Sequence, residues 1–484
     1  MKLKALTENL TLLKTTADPE TEIEGVAYDS RAVRPGYLFV AIRGLQVDGH
    51  RFIPNAIQAG ASVIICEKAP EDDIPFLQVE NSRLALSLIS AAWYGNPAQE
   101  MKLIGVTGTS GKTTTTHLIK HILEVAAGAK VGLVGTNGNK IGSELIHTEF
   151  TTPESLELQG LFRQMADAGC THAVMEVSSH SLALDRVGGL RFDVAAFTNL
   201  SQDHLDFHKT MEEYASAKRR LFSMCEAACI NLDDAHASFM MEGISCPCMT
   251  SSASDCSADL FADRISLTAE GVSFLAVYGE ERVPVNLAIP GLFSVHNALT
   301  ALSVCMEAGI TLSDAAAALA TAKGVKGRVE TVPTGKDYTI IIDYSHKPDA
   351  LENVLRTLRP VTHGRLVTLF GCGGDRDRQK RPIMGKVAAE LSDFVIVTSD
   401  NPRTEDPDAI ISEITEGLRT SSTPYHVLTD RIEAIHYAID NAASGDVILL
   451  AGKGHEDYQI VGHEKHHMDE REIVADYLKE KSSL

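Results

Sequence analysis

The sequence predicts an α/β protein of three domains. A small N-terminal α/β domain spans 1–98, a central domain with a mostly parallel sheet spans 99–328, and a C-terminal Rossmann-like α/β domain spans 329–484. Three observations predict this. A length of 484 residues suggests about three domains. From Met101 onward apolar strands alternate with helical stretches, the βαβ rhythm of a parallel sheet. Two breakers, Gly95-Asn96-Pro97 and the Gly/Lys-rich stretch Lys323 to Arg328, divide the chain.

In the first block, strand-like pieces are expected at Tyr37–Ile42, Ala61–Cys66 and Phe76–Val79, with a helix over Ser82–Trp93. The central strands are Lys102–Val106, Lys130–Val134, His172–Val177 and Asp193–Thr198, followed by a helix near Met211–Cys225. Residues 246–290 are rich in Ser and Asp turns and read as an antiparallel side sheet, with strands at Gly271–Tyr278 and Arg282–Ala288. The last block carries strands at Tyr338–Ile342, Arg365–Phe370, Asp393–Thr398 and Asp446–Leu450.

Hydrophobic residues make up 44% and charged residues 23%, the composition of a globular protein. A formal net charge of −21 disfavours nucleic acid and anionic membrane as partners. It also means that a site for phosphates or carboxylates must supply its own cations. The nine cysteines are irregularly spaced, which argues against a disulfide framework and for a reducing cytoplasm. Cys246, Cys248 and Cys256 lack the spacing and the second ligand pair of a zinc site. The N-terminus has no signal-peptide run, and no stretch reaches membrane-spanning length. A cytoplasmic monomer is the expectation.

The most informative segment is Lys102 to Thr115. An apolar strand passes into Gly108-Thr109-Ser110-Gly111, and Lys112, Thr113 and Thr114 open a helix. Small residues let backbone N–H groups approach a polyphosphate at a helix N-terminus. Lys112 would reach the terminal phosphates and Thr113 would offer a hydroxyl to Mg²⁺. Val106 occupies the place of the first glycine of the usual P-loop pattern, and Gly108 supplies the flexibility instead. The central domain is thus read as a P-loop nucleotide-binding domain.

Ligands of parallel sheets gather at the carboxyl ends of strands. Glu176 ends one such strand and suits a hard cation, although a salt-bridged or capping role fits a glutamate equally when it stands alone. The loop Asn199 to His208 contains Asp203, His204, Asp206 and His208, a packet of metal-capable groups. On the next helix Met211, Tyr214, Ala215, Lys218, Leu221 and Phe222 share one face, so Lys218 lies within an apolar stripe. It either snorkels along the core edge or serves chemistry as an inward, pKa-lowered lysine.

In the last block, the loops Gly371–Arg378, Asp400–Arg403 and Gly452–Glu456 each follow a strand. A parallel sheet would bring the guanidiniums of Arg376 and Arg403 to the carboxylate of Glu456. Such a crevice fits an amino acid, while solvated turns with surface ion pairs are the plain alternative. Gly371-Cys372-Gly373 is a weak dinucleotide signal, because Arg376 stands at the third glycine.

With these motifs together, the chain resembles the Mur ligases over nearly its whole length. The resemblance rests on Thr107–Thr113, Met175–His180, Asn199–His208, Asp343–His346 and Gly371–Arg378. It implies an ATP-dependent amide ligase of peptidoglycan precursor synthesis, acting through an acyl phosphate. It implies that Gly108, Thr109, Ser110, Gly111, Lys112, Thr113 and Thr114 hold ATP, with Thr113 and Glu176 on Mg²⁺ and His204 near a second Mg²⁺. Lys218 matches the lysine carbamylated in the family, which turns an ammonium into an anion. His296, Asn297, Arg328 and Asp343 match further nucleotide contacts.

The resemblance places the uridine end of the substrate around Tyr28, Ser30, Leu45, Gln46 and Val47, and its remainder against Thr151, Thr152, Ser178 and Arg186. Leu184 stands where many relatives carry glutamine, so that one polar contact is not carried over while its neighbours are. The quartet Asp400, Asn401, Pro402 and Arg403, with Arg376, Gly452 and Glu456, goes with meso-diaminopimelate in the family. The acceptor implied is UDP-N-acetylmuramoyl-L-alanyl-D-glutamate. An L-lysine-adding relative, a folylpolyglutamate synthetase-like ligase and a P-loop switch protein are the rival readings. Arginines aimed at a distal carboxylate disfavour lysine. The Tyr28–Arg31 motif disfavours the folate enzyme, and a switch would not need the third-domain crevice.

Overall fold

The computed structural model describes residues 1–44, 47–71, 73–146, 151–268, 270–419 and 421–482, without the side chains of Asp206 and Ser482. The chain falls into two compact units. One comprises Met1–Phe261 with Leu299–Ala318, the other Ala262–Ala298 with Leu319–Leu484.

The first unit holds two sheets. The N-terminal one contains β1 (Lys14–Thr15), β2 (Gly25–Ala27), β3 (Tyr37–Val40), β4 (Val63–Cys66) and β5 (Phe76–Gln78) in the order β1-β5-β4-β3-β2. Only β1 runs antiparallel to its neighbour. The helix Ser82–Trp93 forms where its periodicity places it. The Asn81 side chain caps it by accepting from the N–H groups of Arg83 and Leu84. Leu86 and Ile89 of this helix are buried with Leu38, Val40 and Ile65 of the sheet.

The second sheet is built from β6 (Lys102–Thr107), β7 (Val131–Val134), β8 (Asn139–Ile141), β9 (Glu144–Ile146), β10 (His172–Glu176), β11 (Phe192–Phe197), β12 (Cys225–Asn231) and β13 (Cys248–Ser252). In this unit its order is β13-β12-β11-β6-β10-β7-β8-β9. β6 lies between β10 and β11, parallel to both. Near-continuous apolar burial of β6, β10 and β11 is what a strand covered on both faces requires. This arrangement brings the loops after β6, β10 and β11 to one carboxyl edge.

Two expectations are corrected here. The helix after the Asn199–His208 loop runs only from Met211 to Arg219, continues as a 3₁₀ turn to Ser223, and Cys225 already opens β12. The region after residue 246 is not wholly antiparallel. β13 pairs parallel with β12, and β14 (Leu260–Leu267) begins parallel to β13. The antiparallel hairpin is β15 (Val272–Tyr278) with β16 (Glu281–Leu287).

The second unit also holds a sheet of β17 (Glu330–Val332), β18 (Thr339–Asp343), β19 (Leu366–Phe370), β20 (Phe394–Val397), β21 (Tyr425–Val427) and β22 (Val447–Ala451), ordered β17-β18-β22-β19-β20-β21. All but β17 run parallel. Helices cover both faces. Leu351, Leu355, Met384 and Ile414 pack on one, Ile435, Ile439 and Val474 on the other. A short hairpin of β23 (Tyr458–Val461) and β24 (Glu464–His467) follows β22. Among the described residues no helix is long and apolar enough to cross a membrane, and the nine cysteines are free thiols.

Candidate active site

In the first unit the phosphate loop leaves β6 at Gly108, whose φ is +148°. A side chain there would collide with the Thr198 hydroxyl, so only glycine fits. Gly111, at φ +81°, turns the chain into the helix Lys112–Ala127. The segment after β11 braces the loop. Thr109 N donates to Asn199 O (2.8 Å), Ser110 N donates to Asn199 Oδ1 (2.9 Å), and Thr198 Oγ1 donates to Ser110 O (2.7 Å).

Lys112 Nζ folds back onto Gly108 O (2.8 Å) and Thr109 O (2.9 Å). Lys218, 1% exposed, donates to the same Gly108 oxygen at 2.8 Å and lies 4.5 Å from the centre of the Tyr214 ring. Burial drives the Lys218 ammonium well below the ordinary lysine range. The Lys112 charge adds to this, and Asp203 opposes it. The side chain is thus buried against the loop rather than snorkelling to solvent. Arg219 and Arg220 point elsewhere, to Glu242 and Asp185.

Glu176 closes β10 with its carboxylate buried. Oε1 accepts from Thr136 N (2.8 Å) and Oε2 from Thr136 Oγ1 (3.1 Å). Two bonds leave acceptor capacity on both oxygens. Thr136 Oγ1 also meets Thr151 Oγ1 at 3.0 Å, and Thr152 Oγ1 donates to Glu176 O at 2.9 Å. Arg186 Nη1 donates to Thr152 O (3.0 Å) and its Nε pairs with Glu154 (2.8 Å), while Ser178 caps the helix Ser179–Ala183. Thr151, Thr152, Ser178 and Arg186 are thus gathered at the end of β10. Thr113 and Thr114 are buried on the first helical turn.

The structure divides the Asn199–His208 packet. His204, at φ +53°, lies beside Asp203 (3.4 Å) and edge-on to His180, whereas His208 is buried with Nε2 2.9 Å from Ser179 Oγ. Among the described residues no three His, Cys, Asp or Glu side chains form a metal-binding group.

Tyr28 Oη donates to Glu157 across the two sheets of this unit (2.8 Å), and burial raises the pKa of both groups. Ser30 opens a 3₁₀ turn capped by Asp29, and Val47 is exposed. Leu45 and Gln46 lie outside the described residues.

In the second unit the loops after β18, β19, β20 and β22 surround a cavity of about 570 Å³. Arg376, Arg403, Asp400, Asn401, Gly452 and Glu456 all line it, as the spacing of loops and strands anticipated. Arg403 adopts φ +52° and donates from Nη1 to Gly374 O (2.9 Å), and Arg376 bonds the Asp375 carbonyl (3.0 Å). Glu456 Oε2 accepts from Asn401 Nδ2 at 2.9 Å. Pro402 packs its carbonyl where a Gly374 side chain would sit.

Wall residues not assigned to this pocket from sequence include Tyr344, His346 and Lys380. Burial lowers the pKa of His346 and of Lys380, whose Nζ bonds His346 O at 2.7 Å. The signal available was the Asp343–His346 motif directly after a strand. Asp343 is buried, accepts from Val329 N (2.8 Å) and Ser345 Oγ, and has its pKa raised by burial. Arg328 stacks over Tyr344 at 5.2 Å. His296 and Asn297 lie on the helix Leu292–Glu307.

A braced glycine loop at the carboxyl edge of a parallel sheet is the arrangement of P-loop proteins, and the second unit carries a pocket lined by both guanidinium and carboxylate. Three segments match known domains: 22–94 the Mur ligase family catalytic domain, 106–305 the Mur ligase middle domain, and 327–454 the Mur ligase glutamate ligase domain. The UDP-N-acetylmuramoyl-L-alanyl-D-glutamate--2,6-diaminopimelate ligase of Caldanaerobacter subterraneus subsp. tengcongensis is 47% identical over 96% of this chain and 96% of its own. That of Clostridium tetani is 46% identical over 99% of this chain and 100% of its own. A solved structure of a ligase of the same name has a TM-score of 0.76 at 32% identity, covering 100% of this chain and 99% of that one. The chain belongs to the Mur ligase family, whose members are ATP-dependent amide-forming ligases.

Proposed function

We propose that this ligase joins meso-diaminopimelate to the D-glutamyl γ-carboxyl of UDP-N-acetylmuramoyl-L-alanyl-D-glutamate, with ATP as co-substrate. The observation that carries the choice of amino acid is the single cavity lined by Arg376 and Arg403 together with Glu456. Diaminopimelate differs from lysine by a carboxylate on its far end. Guanidiniums suit that group as bidentate partners, and Glu456 suits the neighbouring ammonium. Lysine would leave a cation without its anion, which is a large selectivity term.

The γ-carboxylate attacks the γ-phosphorus of ATP, giving an acyl phosphate and ADP. The diaminopimelate amine then attacks the acyl carbon, loses a proton, and orthophosphate leaves. Lys112 and the loop N–H groups of Gly108–Thr114 stabilise the phosphates. Arg328, Asp343, His296 and Asn297 are assigned to the nucleotide. Tyr28, Ser30, Leu45, Gln46 and Val47 are assigned to the uridine end, with Thr151, Thr152, Ser178 and Arg186 on the muramoyl peptide. Thr113 and Glu176 offer oxygen donors and His204 a nitrogen, a set that fits Mg²⁺ completed by phosphate oxygens and water. When bound, Mg²⁺ would neutralise charge on the transferring phosphoryl group. Burial beside the Lys112 charge favours the free-amine form of Lys218, the form that reacts with CO₂, which supports carbamylation there.

The test is orthophosphate release with the nucleotide dipeptide, ATP and a panel of amino acids. Release should require the dipeptide and be strongest with meso-diaminopimelate. Release that is equal with L-lysine, or that ignores the dipeptide, contradicts the assignment.

A further inference from the structure

The amino-acid cavity has a side chain behind it that never reaches its surface. Lys453, between Gly452 and Gly454, is 0% exposed. Its Nζ lies 2.6 Å from Asn401 Oδ1, 2.6 Å from Tyr458 O, 3.3 Å from Glu456 Oε2 and 3.3 Å from Asp400 Oδ1. An ammonium has three protons and no acceptor, so this nitrogen is fully used within the protein.

That contact dictates how Asn401 points. Its Oδ1 accepts from Lys453 Nζ and also from Ile460 N at 2.9 Å. A flipped amide would turn its NH₂ against two donors. The NH₂ is therefore held toward Glu456 Oε2 at 2.9 Å. Glu456 Oε2 then serves Lys453 and Asn401, while Oε1 has only a long contact to Tyr344 Oη at 3.4 Å. One oxygen is anchored and the other is only loosely held, on a residue that lines the cavity. In charge terms two carboxylates, Asp400 and Glu456, share one buried cation. Within this trio a single negative charge is left over, matching one incoming ammonium.

We propose that Lys453 is a positioning residue that sets the charge balance and geometry of the ammonium-receiving wall. It does so without touching the amino acid, by holding Asn401 and Glu456. The inference rests on the reading of this cavity as the diaminopimelate site.

The test is steady-state kinetics on the full-length enzyme carrying Lys453→Met, Asp400→Asn, or both. Diaminopimelate, ATP and the nucleotide dipeptide are varied in turn. Lys453→Met leaves two uncompensated carboxylates, and Asp400→Asn leaves none in surplus. Each alone should raise the KM for diaminopimelate on the order of 10-fold, with the KM for ATP and for the dipeptide within about twofold. The double variant restores one surplus carboxylate and should recover part of the loss. A lysine that merely fills space would give no such recovery. Where Lys453→Met fails to bind ATP and is misfolded, the near-isosteric Asp400→Asn and the double variant decide. An unchanged KM for diaminopimelate in Asp400→Asn, or a double variant no better than its worse parent, overturns the proposal. Wild-type turnover without any diaminopimelate dependence instead overturns the substrate reading, and this inference with it.

Discussion

The ammonium nitrogens of Lys112 and Lys218 converge on one atom, the carbonyl oxygen of Gly108, each 2.8 Å away. Two cations sharing one neutral acceptor, one of them 1% exposed, is a costly arrangement for two charged lysines. The neutral form of Lys218 relieves it, and a carbamate would reverse its sign beside Lys112. Lys218→Ala should therefore reduce acyl-phosphate formation on the order of 100-fold, the scale of losing one electrostatic contact to the transition state. Short carboxylates such as acetate should restore part of the rate. A carbamate signal from ¹³C-bicarbonate, present in the wild type and lost in the variant, checks the modification. Near-normal turnover in Lys218→Ala removes this lysine from the mechanism.

The same carbonyl belongs to a glycine that cannot be replaced. Gly108→Ala meets both a left-handed φ and the Thr198 hydroxyl. Strain of about 1–3 kcal/mol is expected where the loop must hold phosphates. Titration of ATP should show weaker binding, with diaminopimelate affinity of the second unit unaffected.

Arg403→Ala should raise the KM for diaminopimelate about 30-fold or more, corresponding to about 2 kcal/mol for a lost buried charge pair. The KM for ATP should stay nearly constant. Equal losses for both substrates contradict the assignment of Arg403.

His455 makes stability depend on pH. Burial, with the charges of Arg328, Lys326 and Arg471 adding and Asp457 opposing, lowers its pKa from 6.5 to about 4. The unfolded chain therefore binds a proton that the folded chain refuses between these values. Stability is full above pH 6.5 and falls as pH drops toward about 4, by on the order of 3 kcal/mol at most from this group. Melting temperatures across that window should fall less steeply in His455→Gln. Parallel curves for the two proteins contradict the attribution.

Much of this architecture was legible from local pattern. β6, its glycine turn and the following helix declare themselves because strand, loop and helix periods change within a few residues. Lys218 was visible as a polar residue on an apolar face, and its burial follows from that face packing inward. β12 was obscured because Leu221 and Phe222 continue the helical stripe through a 3₁₀ turn. Its own run, Ala227 to Ile230, is buried without alternation, which period alone does not separate from helix. Lys453 was hidden for a different reason. Its acceptors come from Asn401, Glu456 and Tyr458, so its burial depends on the loop after β20 and the start of β23 meeting in space. The division of the Asn199–His208 packet is likewise tertiary, since His208 turns to Ser179 on another segment.

The most direct measurement follows oxygen. With ¹⁸O in the D-glutamyl γ-carboxylate of the nucleotide dipeptide, an acyl phosphate requires that one labelled oxygen appear in the released orthophosphate for each amide formed. Unlabelled orthophosphate alongside amide product would contradict activation of the carboxyl by ATP.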